Sequence, residues 1–319
     1  GVIATGASGA TVFDVGAGKI KIDAKARCAS NSVGNQCSAL ELNAWGGNTV
    51  ANTRLVTTNT DADSIWISAV TGHSSHQGTS NMHGVTYSSS GGFKLITNKI
   101  TDESDFAFNV AGDISITSPT AGFESAVNVD GDWTFPVRPA SLLIGNAGTS
   151  GADQNTAALN VSTALSATNS LRLYAGNINL SSGNITTTAS GAPILIKATG
   201  QILSGNGTGV NTSAKLFQTL NGPITLWADA ENNLSGRITI GDYNKFNSQG
   251  GRITLAGGLD DGGVDSGISA TVVRTAGDGF PDGYARAEAS GYSSAVSGLS
   301  LGTKAVSYTH LRAHETKAN

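Results

Sequence analysis

Three histidines sit close together in the stretch GHSSHQGTSNMHG: His73, His76 and His83. A His-x2-His pair with a third imidazole further on can present ring nitrogens to Zn2+. No cysteine lies near enough in sequence to complete a tetrahedral set, so Asp61 or Asp63 would have to supply the fourth ligand. The same composition also describes a polar, Ser-rich surface loop, and that is the preferred reading.

Oxygen-rich stretches form a second set of candidates. Asn59, Asp61 and Asp63 alternate in NTDADS, Asp229, Glu231 and Asn233 alternate in DAENN, and Asp278 and Asp282 flank the Gly/Pro turn of GDGFPDG. Such loops can hold Ca2+. None has the glutamate that ends an EF-hand loop: counted from Asn59, that position is Val70. Asx-type turns at chain corners explain the same residues, so Ca2+ is a weak expectation and no cofactor is required. Cys28 and Cys37, the only two cysteines, close CASNSVGNQC. In an exported protein such a pair is expected to form a disulfide that staples a short loop.

Hydrolytic chemistry has little to work with. Asn59-Thr60-Asp61 and Asp260-Asp261 are similar to carboxylate motifs of pectin-degrading enzymes, but glycoside hydrolysis needs two carboxylates within about 5–10 Å. These two groups are far apart in sequence. One Gly-x-Ser-x-Gly string, GLSLG centred on Ser300, lacks the strand–turn–helix setting of a nucleophile elbow. No catalytic residue is assigned. Asn160 and Asn184 begin Asn-x-Ser/Thr triplets, which a chain so rich in Asn and Thr produces by chance.

The elements that would position these residues are announced by a recurring phrase. GGRITLAGG (Gly250–Gly258), SGRITIG (Ser235–Gly241) and NGPITLWAD (Asn221–Asp229) share Gly-x-Ile-Thr-hydrophobic or a close variant. Looser versions are GAGKIKIDA, GGFKLIT, GDISITS, GDWTFPV, GNINLSS, GNITTTA and GAPILIKA. Apolar residues two apart with Thr, Ser, Asn or Lys between them predict short strands with one buried face. Glycine at the start of each supplies a corner. Gly222, Gly236 and Gly251 are spaced by 14 and 15 residues, with no helical period between them. Self-similarity of this kind predicts a β-solenoid rather than a sandwich. Aromatic residues make up only 6%, which predicts a core of stacked Ile, Leu, Val and Ala. The stretch TSGADQNTAALNVSTALSATNS, up to Ser170, reads as a loop insertion or short helix, and ISATVVR and AVSGLSLG as strands between long loops.

Composition limits the classes. The 319 residues include 42 glycines, and 13% are charged, giving a net charge of −4. Nucleic acid is not an expected partner, because it calls for a basic face. No apolar run of the roughly 18 residues needed to span a bilayer occurs. Residues 1–170 are expected to be a less regular solenoid region with loop insertions, and 171–305 a regular strand-repeat region. The tail VSYTHLRAHETKAN, residues 306–319, breaks the composition and is similar to an in-frame sequencing-adapter translation, so it is set aside as non-native. The chain reads as an internal fragment of a longer protein.

The run LRLYAGNINLSSGNITTTASGAPILIKATG, with GPITLWADAENNLSGRITIG and GGRITLAGG, resembles the strand-repeat regions of filamentous-haemagglutinin-like bacterial exoproteins, which are two-partner-secretion adhesins and related autotransporter passengers. The likeness covers Leu171 to Leu301 well and the preceding part loosely. It implies an all-β chain folded as a right-handed parallel β-helix with protruding loops, export through an outer-membrane secretion partner, and an extracellular or cell-surface location. The function it implies is a stiff adhesive stalk contacting host or neighbouring cells, glycans or matrix. A β-helix that binds or cleaves polysaccharide is the alternative, and a structural surface-layer or matrix filament is a third.

Overall fold

The computed structural model describes residues 11–26, 38–42, 53–71, 77–80, 84–100, 106–119, 123, 125–146, 157–204, 215–228, 238–240, 244–257, 273–275 and 299–301. Among them the chain is all-β, with no helix and with strands mostly three to seven residues long. The strands form sheets of ten, six, five, four and two members. Among the described residues every strand pairing is parallel except one.

Apart from the antiparallel pair Ile253–Gly257 and Val273–Thr275, neighbours within a sheet are not consecutive strands of the chain. In the second half of the described chain a strand of the ten-stranded sheet, such as Ile194–Ala198, is followed by one of the six-stranded sheet, Ile202–Ser204, and then one of the four-stranded sheet, Leu216–Leu220. The chain then returns to the ten-stranded sheet at Ile224–Ala228, beside the strand it left. Earlier in the chain the five-stranded sheet holds the place later taken by the four-stranded one.

The long sheet carries the register of the whole fold. Ile20, Ile65, Phe93, Ile114, Leu142, Leu171, Ile194, Ile224 and Ile253 are successive partners in one column. Ile22, Ile67, Leu95, Ile116, Ile144, Leu173, Ile196, Leu226 and Leu255 form a second column two residues on. Apart from Ile20 and Ile22 at one end, every member is at most 1% exposed. Full burial of one such side chain stabilises by roughly 1.5–3 kcal/mol before the entropy of ordering it is counted. A one-residue slip would turn both columns outward, so the apolar period fixes the register.

Aromatic residues do more than their number suggested. Tyr87, Phe93, Phe106, Phe108 and Trp133 are all buried and lie ring against ring, with Phe135 stacked on Phe108 at 5.3 Å between centroids. Phe217 and Phe246 stack at 4.6 Å with their planes 5° apart, on partnered strands. The expectation of a purely aliphatic core therefore fails at Phe93 in the long sheet and more widely on the sides facing that sheet.

Two further expectations change. Within the stretch read as a loop or short helix, Ala158–Val161 and Leu165–Ala167 are strands. Leu159, Val161, Leu165 and Ala167 are buried at period two within each strand, while the intervening Asn160 and Ser166 are half-exposed. The phrases spaced by 14 and 15 residues are not stacked on one another in turn. Ile224 and Ile253 pair in the long sheet, whereas Ile238 pairs with Ile202 in the six-stranded one, so one full repeat takes two steps of the phrase.

Candidate functional site

The only oxygen-rich candidate within the described residues is the corner at Asn59, Asp61 and Asp63, and one side-chain oxygen of each is already engaged. The Asn59 side-chain oxygen accepts from the Asp61 backbone N–H at 2.9 Å, closing an Asx turn. Its amide nitrogen donates to the Ala17 carbonyl at 3.0 Å, and the Thr57 hydroxyl donates to the Gly16 carbonyl at 3.0 Å. The Lys19 ammonium bridges both carboxylates, 2.9 Å from Asp61 Oδ2 and 2.6 Å from Asp63 Oδ1. All three side chains are about half exposed.

The charge pattern follows the geometry. The hydrogen bonds that Lys19 donates to Asp63 and then to Asp61 raise its pKa, and the bond from Lys19 lowers that of Asp63. A general acid needs the opposite shift, a carboxyl held protonated near neutral pH. A lysine ammonium between the carboxylates also stands where a Ca2+ ion would have to bind. The corner is a structural clamp between successive layers.

The other candidates divide by position. Cys28, Cys37, His73, His76, His83, Asp278 and Asp282 lie outside the described residues, as do Asp229, Glu231, Asn233, Asp260 and Asp261. Among the described residues no group of three or more His, Cys, Asp or Glu side chains could hold a metal ion. Ser300 lies within the strand Leu299–Leu301, partnered with Thr239 in parallel register, so the serine sits in mid-strand and not at a nucleophile elbow.

Asn160 and Asn184 have structural work. Asn160 donates to the Asn128 side-chain oxygen and accepts from the Asn179 amide, both at 2.7 Å, forming a ladder across three strands. The Asn184 side-chain oxygen accepts from the Leu216 backbone N–H at 3.0 Å. Identical polar side chains stacked strand upon strand satisfy one another in this way. Ser166 and Thr186 continue the pattern elsewhere, with hydroxyls 2.9 Å apart and Arg138 donating to Ser166 at 3.1 Å.

Three features were not read from the sequence. Lys21 lies 4.8 Å from the Trp66 ring centroid and Lys197 lies 4.5 Å from that of Trp227, each pair on adjacent strands of the long sheet. Aligning the phrases by their core columns would have placed Tyr174, Lys197 and Trp227 in one outward column. These three are nevertheless 2% exposed or less. Lys215 is 1% exposed, and its ammonium donates to the Leu180 carbonyl. Burial lowers its pKa to about 8. No pattern in the sequence marks this lysine as buried, because it precedes the strand Leu216–Leu220 at a corner.

An apolar slot lies between Phe123, Val127, Ile144, Leu159 and Tyr174, and it has no room for a water molecule. Comparison with protein-family models, with curated proteins and with solved structures found no match.

Proposed function

We propose that this chain is a segment of a right-handed parallel β-solenoid from a secreted or surface-exposed bacterial adhesin, and that it acts as a stiff stalk presenting loops for attachment. The observation carrying this reading is the unbroken register of nine parallel strands from Ile20–Ala26 to Ile253–Gly257. At about 4.8 Å per strand these span roughly 40 Å. Each layer is tied to the next by backbone bonds, two core columns and polar ladders, so force along the stack loads many weak contacts together. Such a stack separates its two ends while holding its loops at fixed positions along the length. The partners on this reading are cell surfaces, glycans or matrix, and a secretion partner in the outer membrane.

The test is attachment. Beads coated with the chain are allowed to settle on host-cell monolayers, on bacterial lawns and on purified matrix polysaccharide, and the force needed to remove them is measured. The reading requires retention above uncoated beads on at least one surface, reduced when the segment 258–267 is replaced by a short Gly/Ser linker. Retention equal to uncoated beads on all three would reject the adhesive role.

A further inference from the structure

The long sheet runs unbroken through the middle of the stack, but the wall beside it does not. Trp133–Thr134 is the last strand of the five-stranded sheet, and Leu165–Ala167 is the first of the four-stranded one. They hold the same place in consecutive turns of the chain, after the six-stranded sheet and before the long one. No strand pairing joins them. Trp133–Thr134 pairs with Phe106–Val110 in the preceding layer, and Leu165–Ala167 with Ile185–Ser190 in the following one.

The sequence explains the gap. The chain leaves Trp133–Thr134 as Phe135-Pro136-Val137-Arg138-Pro139, and proline has no N–H to give to a ladder. The five-stranded ladder has already thinned. Val85–Ser89 and Phe106–Val110 are partnered over their full length, whereas Trp133 and Thr134 are the only partnered residues of the last strand. Across the gap Arg138 Nε donates to the Ser166 hydroxyl at 3.1 Å, and Val137 is exposed there. Backbone bonds resume at the next corner, where the Thr168 N–H donates to the Pro139 carbonyl at 2.9 Å.

The rest of the stack narrows at the same level. In the long sheet, Ile114–Thr117 and Ser141–Ile144 share three partner pairs, the fewest between parallel strands of that sheet. The six-stranded sheet starts here with Val127–Val129, paired to Ala158–Val161. The core also changes character. Phe106, Phe108, Trp133 and Phe135 fill the side of the five-stranded sheet, whereas Leu165, Ala167 and Ile185 line the four-stranded side that follows. The next turn is tied on all three walls, by Leu142 with Leu171, Leu159 with Ile178 and Leu165 with Ile185.

Where layers touch only their neighbours, stability is a sum of layer and interface terms, and a weak interface divides the stack into units that open separately. We propose that the level of residues 133–139 is a joint. The strands from Val12–Asp14 to Trp133–Thr134 form one cooperative block, and those from Ser141–Ile144 to Ile253–Gly257 form another. Load opens one block while the other stays folded, so the stack lengthens before it is lost. This inference rests on the stacked arrangement of the proposed stalk and not on its adhesion. A chain that yields in two steps yet holds to no surface would separate the two.

The experiment is optical-tweezers pulling on the full chain through handles at its two ends. Two ruptures are expected, each releasing roughly 400 Å of chain at about 3.5 Å per residue, in place of one of roughly 800 Å. Ile67 lies in the first block and Ile196 in the second, and both are fully buried. Ile67→Val and Ile196→Val should each lower the force of one rupture and leave the other unchanged, and the corresponding alanine variants should enlarge the effect. Peptide-resolved hydrogen exchange should divide in the same way, with Ile67→Val speeding exchange in the strands of the first block alone. A single rupture of the whole stack, unzipping layer by layer, or a substitution whose effect spreads equally to both sides of residues 133–139 would each overturn the proposal.

Discussion

Gly251 lies directly on Gly222: a Cβ built on Gly251 would sit 2.1 Å from the Gly222 carbonyl oxygen. Gly222 stands in the same relation to Ala192, at 2.0 Å. Neither glycine has a positive φ, so the recurring glycine before Ile-Thr is there for close backbone approach between layers and not for a left-handed turn.

Gly251→Ala is accordingly expected to destabilise by more than about 2 kcal/mol, because backbone, not a flexible side chain, must give way. Gly131 has open space around its Cβ position and no positive φ, so Gly131→Ala should fall within about 1 kcal/mol of wild type, on the stabilising side. Urea denaturation of the two variants checks the contrast. Equal losses would show that layer spacing does not select glycine at this corner.

The Tyr87 hydroxyl is buried without a hydrogen-bond partner among the described residues, inside the ring cluster of Phe93, Phe106 and Phe108. Burial pushes its pKa far above the usual phenol range. Tyr87→Phe removes an unsatisfied polar atom and keeps the ring, so stability should rise by about 1 kcal/mol. Phe108→Ala in the same cluster should lose about 3–5 kcal/mol. Thermal unfolding followed by near-ultraviolet circular dichroism reports both.

Lys215 makes stability depend on alkaline pH. Its folded pKa, about 8, lies below the unfolded value of 10.5, so between these values the unfolded chain binds more protons. The cost of burying the ammonium is therefore full below about pH 8 and is relieved as pH rises toward about 10.5, a gain of at most about 3 kcal/mol. Lys215→Met should abolish that rise and lift stability below pH 8. Denaturation midpoints from pH 7 to 10.5 for both proteins make the comparison. A wild-type midpoint that falls across this range while the variant's stays level would contradict the assignment.

At the Asn59–Asp63 corner, the ion pairs are exposed and salt-screened. Because Asp63 has a lowered folded pKa, its contribution is present at neutral pH and is lost as pH falls through that value. Lys19→Ala should shift the melting temperature slightly at low salt and not at all at high salt. Asp61→Asn with Asp63→Asn should leave any heat of Ca2+ binding to the chain unchanged in calorimetry. A calcium signal removed by that pair would restore the corner as a cation site.

The strands of the long sheet were legible because their apolar residues alternate and their glycines recur. GAPILIKA, NGPITLWAD and GGRITLAGG coincide with Ile194–Ala198, Ile224–Ala228 and Ile253–Gly257. Which phrase stacks on which was not legible: GRITIG and GRITLAGG look alike yet belong to different sheets, since only closure of the chain decides the side. Strands such as Thr53–Thr57 and Val85–Ser89 escaped because Thr and Ser occupy buried positions there, stabilised by bonds like that of Thr57 to the Gly16 carbonyl. Among the site residues, the acidic corner was legible as a turn, but its partner Lys19 lies 44 positions from Asp63 and is brought there only by the register of Ile20 with Ile65.

The stacked register is tested most directly by cross-linking. With Cys28 and Cys37 changed to serine, cysteines at positions 166 and 186 replace two hydroxyls 2.9 Å apart on adjacent strands. Strand neighbours fall within the Cα range a disulfide requires, whereas positions 166 and 218 are two strands apart, roughly 9.6 Å, and beyond it. Mild oxidation should close the 166–186 bridge nearly completely and leave 166–218 open. Bridging of both pairs to the same extent, or of 166–218 alone, would contradict the layered parallel arrangement on which the proposed stalk depends.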